Sequence, residues 1–223
     1  GVTPGGLADE ARRELLEYTR YMVFERGATA RELMTEPIGF PRSERLAALY
    51  ESEVATGDEP VDLPAGHGGL LLRIAPLLAG NLSSSPILRG VYVRRHLLCT
   101  DIPSPPFDIV QQRTEELAES DPAVLSTREI VTDLTSEGVC AGCHQKINPV
   151  GFTLEGFGSL GERRVDQVVV DTAGNELARH PLDTQVDAVD VGTGSIGELT
   201  NCVAGFIGAL DIGPAHLIGH SMG

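Results

Sequence analysis

Cys140-Ala-Gly-Cys143-His144 sets two thiols and an imidazole within one short stretch of the chain. Cysteines separated by two residues can reach the two vinyl groups of a single porphyrin as thioethers, and the adjacent histidine then lies under the metal as its proximal ligand. The spacing is that of covalently attached haem (haem c), with Cys140 and Cys143 as anchors and His144 on the iron. With four Cys and six His in 223 residues, chance would produce this string in roughly one chain in several hundred. Zinc is the main competing reading. It would need four ligands, usually a second close pair, whereas Cys99 and Cys202 stand alone in the sequence. A redox dithiol or a disulfide between the same two cysteines are the other readings.

A haem needs more than its anchor. The sixth iron position sets the reduction potential and decides whether a substrate reaches the metal. The donors are Met22, Met34, Met222, His67, His96, His180, His216 and His220. Small c-type cytochromes commonly take this ligand from a loop well downstream of the attachment motif, which puts Met222 and His220 first. The two propionates, on an already acidic protein, call for cationic partners. Arg89, Arg163 and Arg164 are the candidates, against the plainer reading of arginines on a helix surface. His144 is expected to donate its second ring proton to a backbone carbonyl near Asn148-Pro149.

The composition narrows the setting. A net charge of −15, from 32 acidic and 17 basic residues, argues against nucleic acid or an anionic membrane surface as partner. It favours a redox partner protein with a basic docking patch, though an acidic surface kept for solubility reads equally well. Aromatic residues are only 4% and tryptophan is absent, which suits either a purely aliphatic core or one completed by a porphyrin. No run approaches the ~18 apolar residues of a membrane span, and the first residues lack the order of a signal peptide. Because haem is attached covalently outside the cytoplasm, the chain is expected to be a mature form or a piece of a longer exported protein, in the periplasm or otherwise extracytoplasmic. In that oxidising compartment Cys99 and Cys202 either pair or remain separate buried thiols.

Around the motif the pattern is mainly helical. Ala11, Leu15, Tyr18 and Met22 recur at helical spacing and predict a helix over 8–26 stopped by Gly27. A short helix follows over 30–35, then one capped by Ser43 carrying Leu46, Leu49 and Tyr50. Residues 56–64 read as linker and 68–78 as a buried segment limited by Pro76. Ser85-Pro86 opens a helix running to Cys99, with Ile87, Leu88, Val91 and Leu98 inward and Arg94 and Arg95 outward. Pro103, Pro105 and Pro106 make an extended surface connector. A capping box at Ser126-Thr-Arg-Glu129 starts the helix that delivers the chain to Cys140, and Asn148-Pro149-Val-Gly151 is expected to turn and end the haem-bearing segment. Val168 to Ala178 reads as a hairpin about Thr172-Ala-Gly174-Asn175. Residues 183–197 read as loop and 198–210 as helix.

Gly69-Leu-Leu71, Ser85-Pro-Ile-Leu-Arg89-Gly90, Leu97-Leu-Cys99 with its proline cluster, Thr127-Arg-Glu129, Cys140-Ala-Gly-Cys-His144, Ile147-Asn-Pro149-Val-Gly-Phe152, Glu155, Phe157, Gly161 and Arg164 follow one ordered pattern. It resembles the large exported haem proteins of planctomycetes and myxobacteria, known as adjacent domains of unknown function. The resemblance covers about 68–164 and implies a c-type haem module in an exported assembly with further domains. The chain departs from that pattern at Leu134, where the family often has His, at Asn148, where it has Asp, and at Gly158, where Phe-Asp becomes Phe157-Gly158.

The sequence therefore predicts a mainly α protein. Its parts are a helical segment over 1–66, the end of an upstream domain; a cytochrome c-like haem domain with irregular loops over 67–165; and a C-terminal segment over 166–223 with a small β-hairpin. The expected role is mono-haem electron transfer among the subunits or domains of a larger complex. Two rivals remain: a haem peroxidase or oxidase module with an open sixth position, and a structural domain that haem or zinc only stabilises.

Overall fold

The computed structural model describes residues 5–78, 84–171 and 173–186. The architecture is mainly α. In chain order the elements are α1 (Leu7–Arg20), running into a π-helical turn (Tyr21–Glu25), α2 (Ala30–Thr35), β1 (Ile38–Gly39), α3 (Glu44–Tyr50), β2 (Val61–Asp62), α4 (Ile74–Leu77), α5 (Pro86–His96), α6 (Phe107–Glu119), α7 (Thr127–Thr135), α8 (Gly138–Thr153), β3 (Asp166–Val170) and β4 (Glu176–Pro181). Among the described residues no helix is long and apolar enough to cross a membrane.

The N-terminal half follows its sequence signals closely. Leu7, Ala11, Leu15, Tyr18 and Met22, three or four residues apart, bury one face of α1 and its π-helical extension. Thr29 and Glu32 form a reciprocal capping box that starts α2, and the Ser43 hydroxyl accepts from the Leu46 N–H to start α3. Inside the region read as linker, Val61 and Asp62 pair antiparallel with Gly39 and Ile38. A two-residue strand carries too little alternation to be visible in sequence.

One buried ion pair unites this half. Glu14 and Arg73 are 1% and 0% exposed. Arg73 donates to the Glu14 carboxylate and the Ile38 carbonyl through its two terminal nitrogens, and to the Gly69 carbonyl through Nε at 3.2 Å. The Tyr50 hydroxyl and the Phe40 N–H also donate to Glu14, at 2.8 and 3.2 Å. The guanidinium sits 3.6 Å over the Tyr18 ring centroid. Desolvation of both charges is thus offset by a network that engages every guanidinium nitrogen and both carboxylate oxygens.

α5 and α8 form the scaffold of the other half, crossing antiparallel at very short range. A Cβ at Gly90 would collide with the Ile147 carbonyl, and one at Gly151 with the Pro86 carbonyl. The two backbones touch where either residue carries no side chain. This contact turns the inward face expected for α5 in part: Ile87, Val91 and Leu98 are half-buried and Arg95 is exposed as expected, but Leu88 and Arg94 exchange sides. Arg89, Gly90, Val93 and Arg94 are buried while Leu88 is 59% exposed, because close approach selects the glycine face rather than the most apolar one. Arg94 donates from Nε to the Lys146 carbonyl at 2.9 Å. The helix ends at His96, and Cys99 takes a left-handed backbone with φ of 51°. Cys99 is disulfide-bonded; Cys202 lies outside the described residues.

Pro149 does not end the motif helix, contrary to the turn expected there. α8 continues to Thr153 with Pro149 inside it. Pro149 forfeits one backbone hydrogen bond, and the packing of Val150, Gly151 and Phe152 against the body outweighs that loss. α6 is absent from the sequence reading. It begins just after the proline connector, and its apolar residues Phe107, Val110 and Leu117 recur at helical spacing but bury nothing in the core. The hairpin matches expectation, with β3 and β4 antiparallel from Asp166↔Pro181 to Val170↔Glu176. Asp171 Oδ1 accepts from the Ala173 and Asn175 N–H groups to close its turn.

The glycine contact predicts that Gly151→Ala destabilises the fold by about 1–3 kcal/mol through overpacking, read as a lower midpoint in chemical denaturation. His67 supplies a pH test. Its ring is fully buried between Tyr50 and Phe157, and burial lowers its pKa below the ordinary 6.5. Between those two values the unfolded chain binds the extra proton, so stability is complete above about pH 6.5 and falls as pH drops toward the folded value. The difference in unfolding free energy between the native chain and His67→Phe should therefore vary with pH in that window and be flat above it.

Candidate functional site

Cys140, Cys143 and His144 all lie on the first half of α8. At relative positions i, i+3 and i+4 they share one helix face. All three are half-buried, and both cysteines are free thiols. The second half of the same helix is clamped against α5, so the motif projects from a fixed stem. Among the described residues no group of three or more His, Cys, Asp or Glu is placed to hold a metal ion. The tetrahedral site that zinc needs is therefore not assembled from them.

The imidazole of His144 is held from behind. Its Nδ1 lies 3.0 Å from Asn148 Oδ1, and Asn148 Nδ2 donates to Thr135 Oγ1 at 2.8 Å. The Thr135 hydroxyl donates in turn to the Val131 carbonyl at 2.6 Å. Asn148 and Thr135 are 8% and 5% exposed. The partner of His144 is thus a side-chain amide one helical turn along, not the backbone carbonyl expected near Asn148-Pro149. The i,i+4 spacing of His144 and Asn148 was available in the sequence. Reading Pro149 as a helix end concealed it.

α6 borders the other side of the motif. Arg113 interacts with Cys140 and pairs with Glu116. Val110 and Leu117 share the Arg113 side of α6 by their spacing and are exposed, as are Phe107 at the start of that helix and Val139 beside Cys140. Two half-buried thiols, an imidazole with Nδ1 already engaged and an apolar border form a donor set suited to a covalently bound haem. Cys140 and Cys143 would hold it and His144 would take the iron through Nε2.

Of the arginines expected near propionates, Arg89 serves the fold. Arg89 is 3% exposed. Its Nε and Nη2 donate to the Leu77 carbonyl at 3.2 and 2.6 Å, its Nη1 to the carbonyls of Leu154 and Phe157 at 3.1 and 2.8 Å, and its Nη2 also to that of Gly158. All five guanidinium N–H groups are consumed, which leaves none for a haem carboxylate. Burial also lowers its pKa, against the opposing charge of Glu155. Arg164 donates to Glu155 Oε2 and Ser84 Oγ, both at 2.9 Å, and to the Glu155 carbonyl at 2.8 Å. Glu155 Oε1 lies 3.6 Å from Arg89 Nη1 and accepts no hydrogen bond. This cluster closes the far end of α8, about 15 Å along the axis from His144 by helical rise. Arg163, the remaining candidate, donates to the Ala65 carbonyl.

Of the sixth-ligand candidates, Met22 and His67 are fully buried in core packing. His180 Nε2 bonds the Pro122 carbonyl at 2.9 Å, and the His96 ring packs tilted against that of Tyr92. Met222, His220 and His216 lie outside the described residues.

Arg89→Leu should cost about 3–5 kcal/mol, because it leaves the buried carbonyls of Leu77, Leu154, Phe157 and Gly158 without their donor. Denaturant unfolding of the variant beside the native chain checks it.

The family model described as PSCyt3, a protein of unknown function (DUF1588), matches residues 67–167, the span that begins at His67 and ends within β3. No curated protein and no solved structure matches the chain.

Proposed function

We propose that residues 67–167 form a c-type haem module that carries single electrons within a larger exported protein or complex. The observation that carries this reading is the joint placement of Cys140, Cys143 and His144 on one face of α8, with the free thiols beside an imidazole whose Nδ1 is bonded to Asn148. When bound, the haem supplies a one-electron couple at iron. The chain's own residues would do the rest: the two cysteine sulfurs, added as thiols across the vinyl groups, would hold the macrocycle to α8 as thioethers, and His144 would offer Nε2 to the metal. The α5–α8 contact keeps that ligand from moving between oxidation states. Half-burial of the motif leaves an edge near the surface, where electrons enter and leave. The matched family's description carries a cytochrome-type name, which agrees with a haem module. A net charge of −15 suits a partner with a basic docking patch.

The test is expression into a periplasm equipped for haem attachment. The native chain should keep its haem on a denaturing gel, because thioether bonds survive denaturation. Cys140→Ala combined with Cys143→Ala should abolish that stain. His144→Ala should retain the stain and change the spectrum at the iron. A native chain that is exported, folded and unstained under these conditions would refute the reading.

A further inference from the structure

The hydrogen bonds behind His144 have a direction that can be deduced. A threonine hydroxyl has one proton, and that of Thr135 is donated to the Val131 carbonyl. Thr135 Oγ1 can therefore only accept from Asn148, which turns the amide NH2 toward Thr135 and the amide oxygen toward His144. An amide oxygen only accepts, so the Nδ1 of His144 carries the proton and Nε2 keeps its lone pair. The tautomer of the ligand is in this way fixed by a backbone carbonyl on α7, through two buried side chains.

We propose, on the reading of this site as a haem centre, that Asn148 is the positioning residue that sets the electron-donating strength of His144, and that its neutral amide holds the reduction potential high. A metal-bound imidazole becomes a stronger donor as its second N–H is drawn toward a more basic partner. A carboxylate in the place of Asn148 would pull that proton and favour the ferric form; an apolar side chain would release it and favour the ferrous form. The chain also makes α7 a participant in the site. Thr135 lies on α7 outside the motif, yet it decides which way the amide faces.

The experiment is redox titration of the purified holoprotein with its Asn148→Asp and Asn148→Leu variants. Asp should lower the midpoint by at least a tenfold change in the ferrous-to-ferric ratio, ~59 mV for one electron, and Leu should raise it. NMR of the ferrous protein should show a slowly exchanging His144 Nδ1 proton in the native chain and faster exchange in Asn148→Leu. If either variant fails to accumulate haem, Thr135→Val carries the test. Removing the hydroxyl frees the amide to turn, and the Nδ1 proton must then exchange faster. Variants that titrate at the native midpoint with unchanged exchange overturn the inference while leaving the haem reading intact. A native chain that never acquires covalent haem overturns the reading beneath it instead.

Discussion

The contact between the backbones of α5 and α8 at Gly90 and Gly151 is the constraint on which the site depends. Helices that meet through glycine come closer than side chains ordinarily permit, and such proximity fixes both their rotation and their register. Once Gly151 lies on Pro86 and Gly90 on Ile147, the rotation of α8 is determined. The three motif residues then have only one direction in which to project. The fold gives up a backbone hydrogen bond at Pro149 to keep this helix continuous, which shows how strongly packing governs the region.

Buried arginines serve as organisers in both halves, by different means. Arg73 meets a carboxylate directly and adds a ring face and two carbonyls, so its charge is neutralised where it lies. Arg89 spends its donors on carbonyls from two separated segments, near α4 and after α8, with Glu155 balancing charge at longer range. The planar fork of guanidinium allows both arrangements; a lysine ammonium would satisfy neither. Closing the end of α8 with Arg89 and Arg164 leaves the opposite end, with Cys140, Cys143 and His144, to face outward.

The result is a rigid stem with a half-exposed tip. The stem is held by Val93, Leu97, Val150, Leu154 and Phe157 in one apolar cluster. The tip is bordered by α6, whose exposed apolar side chains lie on the chain's own surface beside Cys140. Rigidity behind His144 and openness in front of it are the two properties the proposed electron-transfer role would need. The first limits rearrangement between oxidation states, and the second lets a partner approach.

Local signals in the sequence determined the helices that carry their own start marks: α1 by its stripe, α2 and α7 by capping boxes, α3 by Ser43. The hairpin was equally legible from its alternation and its turn residues, and the grouping of Cys140, Cys143 and His144 from spacing alone. These features are written within a few neighbouring residues, so no distant contact is needed to read them. What only the tertiary structure decided are the features that depend on residues far apart. Whether Pro149 ends or merely interrupts α8 turns on Gly151 finding the Pro86 carbonyl. Which face of α5 is inward turns on Gly90, and the role of Arg89 on carbonyls about seventy positions away. The partner of His144 required both a helix that survives a proline and a threonine on a neighbouring helix. Periodicity reports propensity, and propensity yields wherever close packing repays the loss.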